Sequence, residues 1–414
     1  MIAPDERRHL VNHLFFSSSP PATTPVAVPD VQAALAAALQ TVRRNIDDWG
    51  DSYPGDTTHD GRYARRSAGD GIAAGGNHGW TTSFWPGMQW LSWEISGDEA
   101  FRSAAQSHAA DFSERVRGGI DLDTHDLGFL YSLGSLTASR MASDPAIRDD
   151  ARDAALLAAD HLMARFLEPA GIIQAWGDLS DPAQAGRTII DSLMNMPLLT
   201  WAAEQTGEPR YSDAVRRHIA QLQAHILRPD DTTFHTFYWD VETGLPLRGA
   251  TEQGAFHDSC WARGQAWGIY GFAINSRATG DPLLRDAAWR CAGYFLSHLP
   301  DDDVPYWDLV YQDGSTEPRD SSAAAIAACG LLELARLEDD PERAGAATAA
   351  AHRLVSALIA HCAPKNSTDS DALILRGVYD LPKNVGVNEG TLWGDYFYLE
   401  ALVRIAHPEW VTYW

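Results

Sequence analysis

The chain has 414 residues, 45% of them hydrophobic, which is enough apolar material for a sizeable core, and no run of about twenty apolar residues marks a membrane span. Its formal net charge is −24, from 56 acidic and 32 basic residues, so the overall field opposes nucleic acid and anionic membranes as partners. The length exceeds the usual single-domain size, but nothing in the composition forces a split.

Residues 1–29 lack the basic-then-apolar pattern of a secretory signal and read as a flexible Ser/Pro-rich arm. From Asp30 to His407 the pattern predicts about twelve helices in six pairs. Short turns separate the members of a pair: Gly97-Asp98-Glu99, Asp144-Pro145, Gly207-Glu208-Pro209, Gly280-Asp281-Pro282 and Asp340-Pro341. Each stops one helix and starts the next, several with Pro in the first turn, where its missing N–H is harmless. The helices before these turns, such as Leu127 to Met141 and Trp261 to Ser276, are rich in Gly, Trp and aliphatic residues. Those after them, such as Tyr211 to Leu227 and Leu283 to Leu299, are rich in Ala, Arg and Asp. Helices apolar nearly all round must be buried. The expected architecture is therefore all-α, one domain over residues 30–414, with six inner helices closed into a ring and wrapped by six outer ones. An open solenoid would leave the inner helices exposed on a concave face. Strand signals are confined to the long loops between pairs, as at Thr232 to Tyr238.

A double ring brings the inner helix starts to one rim. The residues there are Trp80 to Trp85, Asp126, Asp191, Asp258 to Arg263, Asp320 and Trp393 to Asp395. Asp126 lies in Thr124-His125-Asp126-Leu127-Gly128-Phe129-Leu130-Tyr131, and Asp191 opens Asp191-Ser192-Leu193-Met194-Asn195. Two carboxylates in an aromatic pocket are the usual equipment for breaking a glycosidic linkage; the simpler alternative is that each caps its helix. Trp80 precedes its helix and is placed to stack on a sugar ring, whereas Trp85 and Trp90 read as core.

The segment Gln253 to Trp267 carries Gln253, His257, Asp258, Trp261, Arg263, Gln265 and Trp267. Arg263, in an otherwise apolar helix, needs a partner: Asp258, Asp191 or a substrate carboxylate. His235 is ambiguous alone. No His/Cys/Asp grouping has metal-ligand spacing, and there is neither a phosphate-cradling Gly loop nor a nucleophile elbow, so no metal or cofactor is expected. The four cysteines, Cys260, Cys291, Cys329 and Cys362, lie far apart in apolar stretches and read as buried thiols of a cytoplasmic protein.

These motifs together resemble glycoside hydrolase family 88, the unsaturated glucuronyl hydrolases. The resemblance is carried by Thr124 to Tyr131, Ile190 to Asn195 with Pro197-Leu198-Leu199, Arg263-Gly264-Gln265-Ala266-Trp267, Asp320-Ser321-Ser322-Ala323 and Trp393 to Glu400. It runs from about Trp80 to the C-terminus. It implies an (α/α)6 barrel acting on unsaturated oligosaccharides left by polysaccharide lyases. The implied reaction hydrates the vinyl ether of a terminal 4,5-unsaturated uronic acid. By the same resemblance Asp191 protonates C4 and then assists water at C5. Asp126 holds ring hydroxyls and keeps Asp191 protonated, Trp80 stacks, and His235, Gln253, Trp261 and Arg263 surround the uronate, with Trp267 beside them. Three other readings stay open: an unsaturated rhamnogalacturonyl hydrolase, a conventional inverting glycosidase on the same toroid, and a non-catalytic sugar-binding protein.

Overall fold

The computed structural model describes residues 28–69, 71–181 and 184–414. The arm expected over residues 1–29 lies outside these, apart from Val28 and Pro29, which open the first helix. In chain order the structure begins with α1 (Val28–Trp49), the hairpin β1 (Pro54–His59) and β2 (Arg62–Arg65), α2 (Phe84–Ser96) and α3 (Glu99–Gly118). Next come α4 (Leu127–Tyr131), a π-helical turn (Ser132–Leu136), α5 (Thr137–Met141), α6 (Pro145–Met163), β3 (Phe166–Leu167), β4 (Ile172–Ile173) and β5 (Arg187–Ile189). A 3-10 segment (Ile190–Asn195) leads into α7 (Met196–Thr206), followed by α8 (Pro209–His225), β6 (Thr236–Trp239) and β7 (Pro246–Ala250). The chain closes with α9 (Ala262–Thr279), α10 (Pro282–Ser297), α11 (Ser321–Leu337), α12 (Pro341–His361), β8 (Gly377–Asp380), β9 (Val385–Glu389) and α13 (Leu392–Ala406).

All five predicted turns are helix breaks. Asp98, Asp144, Asp281 and Asp340 accept from the backbone N–H two residues on, satisfying an amide that the new helix leaves open. Gly207, at φ +71°, ends α7 in the left-handed conformation that a side chain would resist. One helix departs from expectation: Leu127 to Met141 is interrupted by the π turn. There Gly134 admits the Phe112 ring (a Cβ would meet it at 2.8 Å) and the Thr137 hydroxyl caps the Ser132 carbonyl at 3.0 Å.

Burial separates the two helix types. Every residue of α9 from Ala262 to Ser276, of α11 from Ser321 to Leu334 and of α13 from Leu392 to Arg404 is buried. In α8 burial recurs at Tyr211, Ala214, Val215, His218, Ile219 and Leu222, the stripe of a helix with one face to water. The buried helices contact one another in sequence: α2 the π turn after α4, α4 the 3-10 segment and α7, the 3-10 segment α9, α9 α11, and α11 α13. Helix α13 then packs back on α2. Among the described residues no helix is long and apolar enough to cross a membrane. Trp85 and Trp90 are fully buried, and the four cysteines are buried free thiols.

The strand expected at Thr232 to Tyr238 is the later Thr236–Trp239, because Thr232 and Thr233 are used in the turn that closes on Leu227 and Arg228. It is the middle of an antiparallel sheet, β5-β6-β7. That sheet delivers the chain into the Asp191 segment, since the N–H of Ile190 donates to the carbonyl of His235 at 3.0 Å.

Candidate active site

Asp126 and Asp191 meet because two buried helices approach unusually closely. A Cβ on Gly128 would lie 2.2 Å from the Cα of Asn195, so only glycine allows the start of α4 to abut the 3-10 segment. From the other side, Gly271 of α9 admits Leu193 of the same segment, where a Cβ would sit 2.4 Å from the leucine Cβ. Asn195 locks the junction: its Oδ1 accepts from the Phe129 N–H at 2.8 Å.

Neither aspartate caps a helix. The Asp126 carboxylate accepts from the Thr124 hydroxyl at 2.7 Å, and Asp191 lies within the 3-10 turn with its Oδ1 buried and unpartnered. Between them stands His125, fully buried. Its Nε2 is 3.4 Å from Asp126 Oδ1 and 3.5 Å from Asp191 Oδ1, and neither ring nitrogen has a hydrogen-bond partner. Burial, with Arg165 and Arg187 nearby, pushes the imidazole down to about 3, so it is neutral.

The two carboxyl groups, each 14% exposed, are held toward their neutral forms. Burial raises Asp126 to about 6, against hydrogen bonds from Thr124 and Asn195 that favour its charge. Burial first, then the negative charge of Asp126, raises Asp191 well above the ordinary carboxyl range, although Arg263 pulls the other way. The sequence spacing offered no metal-ligand grouping, whereas the fold gathers His125, Asp126 and Asp191 with one donor atom each, all within 4.8 Å. Three donors meeting so closely suit a cation or a proton.

The other expected residues are partly here. Trp80 is half-buried above Phe129 and Trp393 (centroids 5.8 and 5.1 Å) and donates its Nε1–H to the Tyr379 hydroxyl at 3.0 Å. His235 is buried against Trp261, with ring centroids 4.4 Å apart. Its Nδ1 accepts from the N–H groups of Glu252 (3.1 Å) and Gln253 (3.3 Å), and burial lowers it to about 3. A neutral ring with Nδ1 accepting carries its proton on Nε2, a donor. Trp267 is 1% exposed, packed on Phe129 and Phe397 beneath the rim.

Arg263 corrects an expectation. It pairs with neither Asp258 nor Asp191 but with Asp320 at 2.7 Å; its terminal nitrogens also donate to Gln253 Oε1 at 3.0 Å, to the Tyr379 carbonyl at 2.7 Å and to the Val378 carbonyl. Asp258, one loop too early, is exposed. Asp395 leaves the expected floor too. It accepts from the Tyr63 hydroxyl and the Leu373 and Ile374 amides, and burial pushes it up to about 8. Sequence reasoning missed Tyr379, which sits on β8 and supports both Trp80 and Arg263; only the alternation of a short hairpin could have signalled it.

Comparison with known proteins follows the same lines. The sequence model of glycosyl hydrolase family 88 matches residues 59–280. An unsaturated glucuronyl hydrolase of Bacillus sp. (strain GL1) is 43% identical over 376 residues, covering 90% of this chain and 96% of the relative. An unsaturated chondroitin disaccharide hydrolase of Streptococcus pyogenes serotype M1 is 42% identical over 387 residues, 93% of each chain. The crystal structure of unsaturated glucuronyl hydrolase from Streptococcus agalactiae superposes with a TM-score of 0.88 at 38% identity, covering 97% of this chain and 96% of that one.

Proposed function

Because the chain belongs to glycosyl hydrolase family 88, and is thus a glycoside hydrolase, we propose that it removes a 4,5-unsaturated glucuronic acid from the non-reducing end of lyase-generated oligosaccharides. Both curated relatives carry names for unsaturated uronyl hydrolases of this kind. The observation that supports the mechanism is the close pair of Asp126 and Asp191 with His125 between them, burial and the neighbouring charge raising the Asp191 carboxyl well above the ordinary range.

Asp191 gives its proton to C4 of the vinyl ether, and the positive charge that develops at C5 is shared with the ring oxygen. Water adds to C5, and its proton passes to the carboxylate that Asp191 has become. The C5 hemiketal opens to a ketone, freeing C1 as a hemiacetal that expels the leaving sugar. Asp126 keeps the proton on Asp191, since a neighbouring negative charge raises a carboxyl pKa. Trp80 stacks on the sugar, His235 offers its Nε2–H, and Gln253, Trp261 and Arg263 shape the wall, with Trp267 beneath.

The conventional inverting reading fits the geometry less well. Inverting enzymes separate their carboxyl groups by roughly 6.5–9.5 Å to admit a water, whereas the facing oxygens here lie within 4.8 Å. A closed (α/α)6 barrel, one catalytic domain from Asp30 to Trp414, is the architecture proposed, and the return of α13 onto α2 supports it. The test is to incubate the protein with an unsulfated unsaturated glucuronyl disaccharide. Loss of the ultraviolet absorbance of the double bond should accompany release of the leaving sugar, and release with the double bond intact would overturn the hydration mechanism.

A further inference from the structure

If the substrate is a uronic acid, its carboxylate needs a cation, and Arg263, the expected one, is already neutralised by Asp320. Among the described residues six arginines are buried: Arg66, Arg115, Arg165, Arg187, Arg263 and Arg404. Five have a carboxylate within 4 Å: Asp56 for Arg66, Asp121 for Arg115, Asp123 for Arg165, Asp320 for Arg263 and Glu333 for Arg404. Arg187, 8% exposed, has none among the described residues. Among the described residues its Nε is buried with no hydrogen-bond partner, and the guanidinium makes one long donation, from Nη2 to the Trp176 carbonyl at 3.4 Å. The guanidinium lies 3.9 Å over the Trp176 ring. A buried charge without a counter-charge is costly, so a fold keeps one where an anion completes it.

Its position is the right one. Arg187 stands on β5, four residues before Asp191, while Trp176 bridges by its backbone to Thr124, two residues before Asp126. Arg187 therefore lies where the two catalytic segments meet. Its positive charge reaches both His125 and His235 and helps hold those imidazoles neutral.

We propose that Arg187 is the docking residue for the C6 carboxylate of the unsaturated sugar, the forked cation that fixes the vinyl ether over Asp191. A planar guanidinium matches a carboxylate by paired N–H donors, and the Trp176 face holds it flat. This rests on the reaction proposed above. It adds which residue reads the acid.

The test compares two compounds, an unsulfated unsaturated glucuronyl disaccharide and its C6 methyl ester, with wild-type protein, Arg187→Gln and Arg187→Lys. With the acid, Arg187→Gln should lose about 30-fold or more in kcat/KM, chiefly through KM, the scale of a hydrogen bond to a charged group. With the ester the same substitution should change kcat/KM by less than about threefold, because no charge pair is left to remove. Arg187→Lys, which keeps the charge and loses the fork, should fall between, and it carries the comparison if the Gln variant fails to fold. Equal losses on acid and ester would overturn the assignment and make Arg187 structural. Wild-type protein that turns over neither compound would instead overturn the reaction on which the assignment rests.

Discussion

The two ends of the buried helices solve the same problem in opposite ways. At their C-terminal ends Arg404 donates to Glu400 (2.8 Å), Glu333 (2.9 Å) and the Tyr270 hydroxyl, Arg277 pairs with Glu333 and donates to the Trp414 carbonyl (2.7 Å), and the Trp414 indole N–H donates to Glu400 (3.1 Å). None of Arg277, Glu333, Glu400 and Arg404 leaves a fully buried polar atom unpaired. Burial alone would raise Glu333, but Arg404 and Arg277 hold it below the ordinary range. At the N-terminal ends, Asp191 Oδ1, both nitrogens of His125 and the Arg187 Nε are buried without partners, and both carboxyl groups are pushed up. One end spends its charges on one another. The other pairs Arg263 with Asp320 but leaves buried atoms of Asp191, His125 and Arg187 without hydrogen-bond partners, which costs stability.

The sharpest way to break that comparison is Asp191→Asn. General acid–base catalysis contributes about 10²–10⁴-fold, so kcat should fall by at least that much, while the melting temperature at neutral pH should rise, because a carboxyl that the fold disfavours as an anion is gone. A variant keeping a tenth of the parental kcat would remove Asp191 from its role. At the other end, Arg404→Met leaves Glu333 and Glu400 buried with too few partners and should cost about 3–5 kcal/mol. Denaturant unfolding measures this. The folded fraction should keep the parental pH profile, and a shifted profile would show the two ends to be coupled.

A pH series sharpens the contrast. Asp126 is raised to about 6 in the folded protein, so its favourable contribution is complete below the ordinary carboxyl pKa of about 4 and is lost as pH rises through about 6. Stability should therefore decline over that window, and Asp126→Asn should flatten the decline. With Asp191 as the proposed acid, activity should fall as pH rises through its elevated pKa. Asp126→Asn removes the neighbouring charge and should move that alkaline limb to lower pH; residual activity with the parental limb would deny the coupling.

The smallest effect is expected at Lys383, one of two lysines, on the β8–β9 hairpin. It is 68% exposed and paired with Asp380 at 2.7 Å. An exposed pair contributes about 0–1 kcal/mol, so Lys383→Ala should change KM by no more than about fivefold and kcat less. Its compensated charge, within a strongly acidic molecule, predicts preference for unsulfated or lightly sulfated disaccharides. Faster turnover of a multiply sulfated one would contradict that.

Much of the fold was legible because helix stops and starts are local chemistry. An Asp or Pro at a new first turn acts through amides only a few residues away, so Asp98, Asp144, Asp281 and Asp340 could be read without tertiary knowledge. The all-round apolar character of α9 and α11 likewise declared their burial. The His-Asp-Leu-Gly stretch marked Asp126, and Asp191-Ser192-Leu193-Met194-Asn195 marked its partner. Partnership across the fold was another matter. Arg263 has acids nearer in sequence than Asp320, and nothing local said that Asp258 would face water or that Asp395 would turn to the Leu373 and Ile374 amides.

By itself, then, the sequence determined which helices are buried, where five of them break from the next, and which two aspartates stand at the starts of buried segments among aromatics, because periodicity, capping and composition act over a few residues. Only the tertiary structure decided that Gly128 and Gly271 let three segments close on Asp191, that His125 sits between the two carboxyl groups, and that Arg263 is spent on Asp320 while Arg187 meets no acid among the described residues. The physical reason is distance along the chain. Arg263 and Asp320 are 57 positions apart, and desolvation, which sets the carboxyl pKa values, exists only once the chain has closed around them.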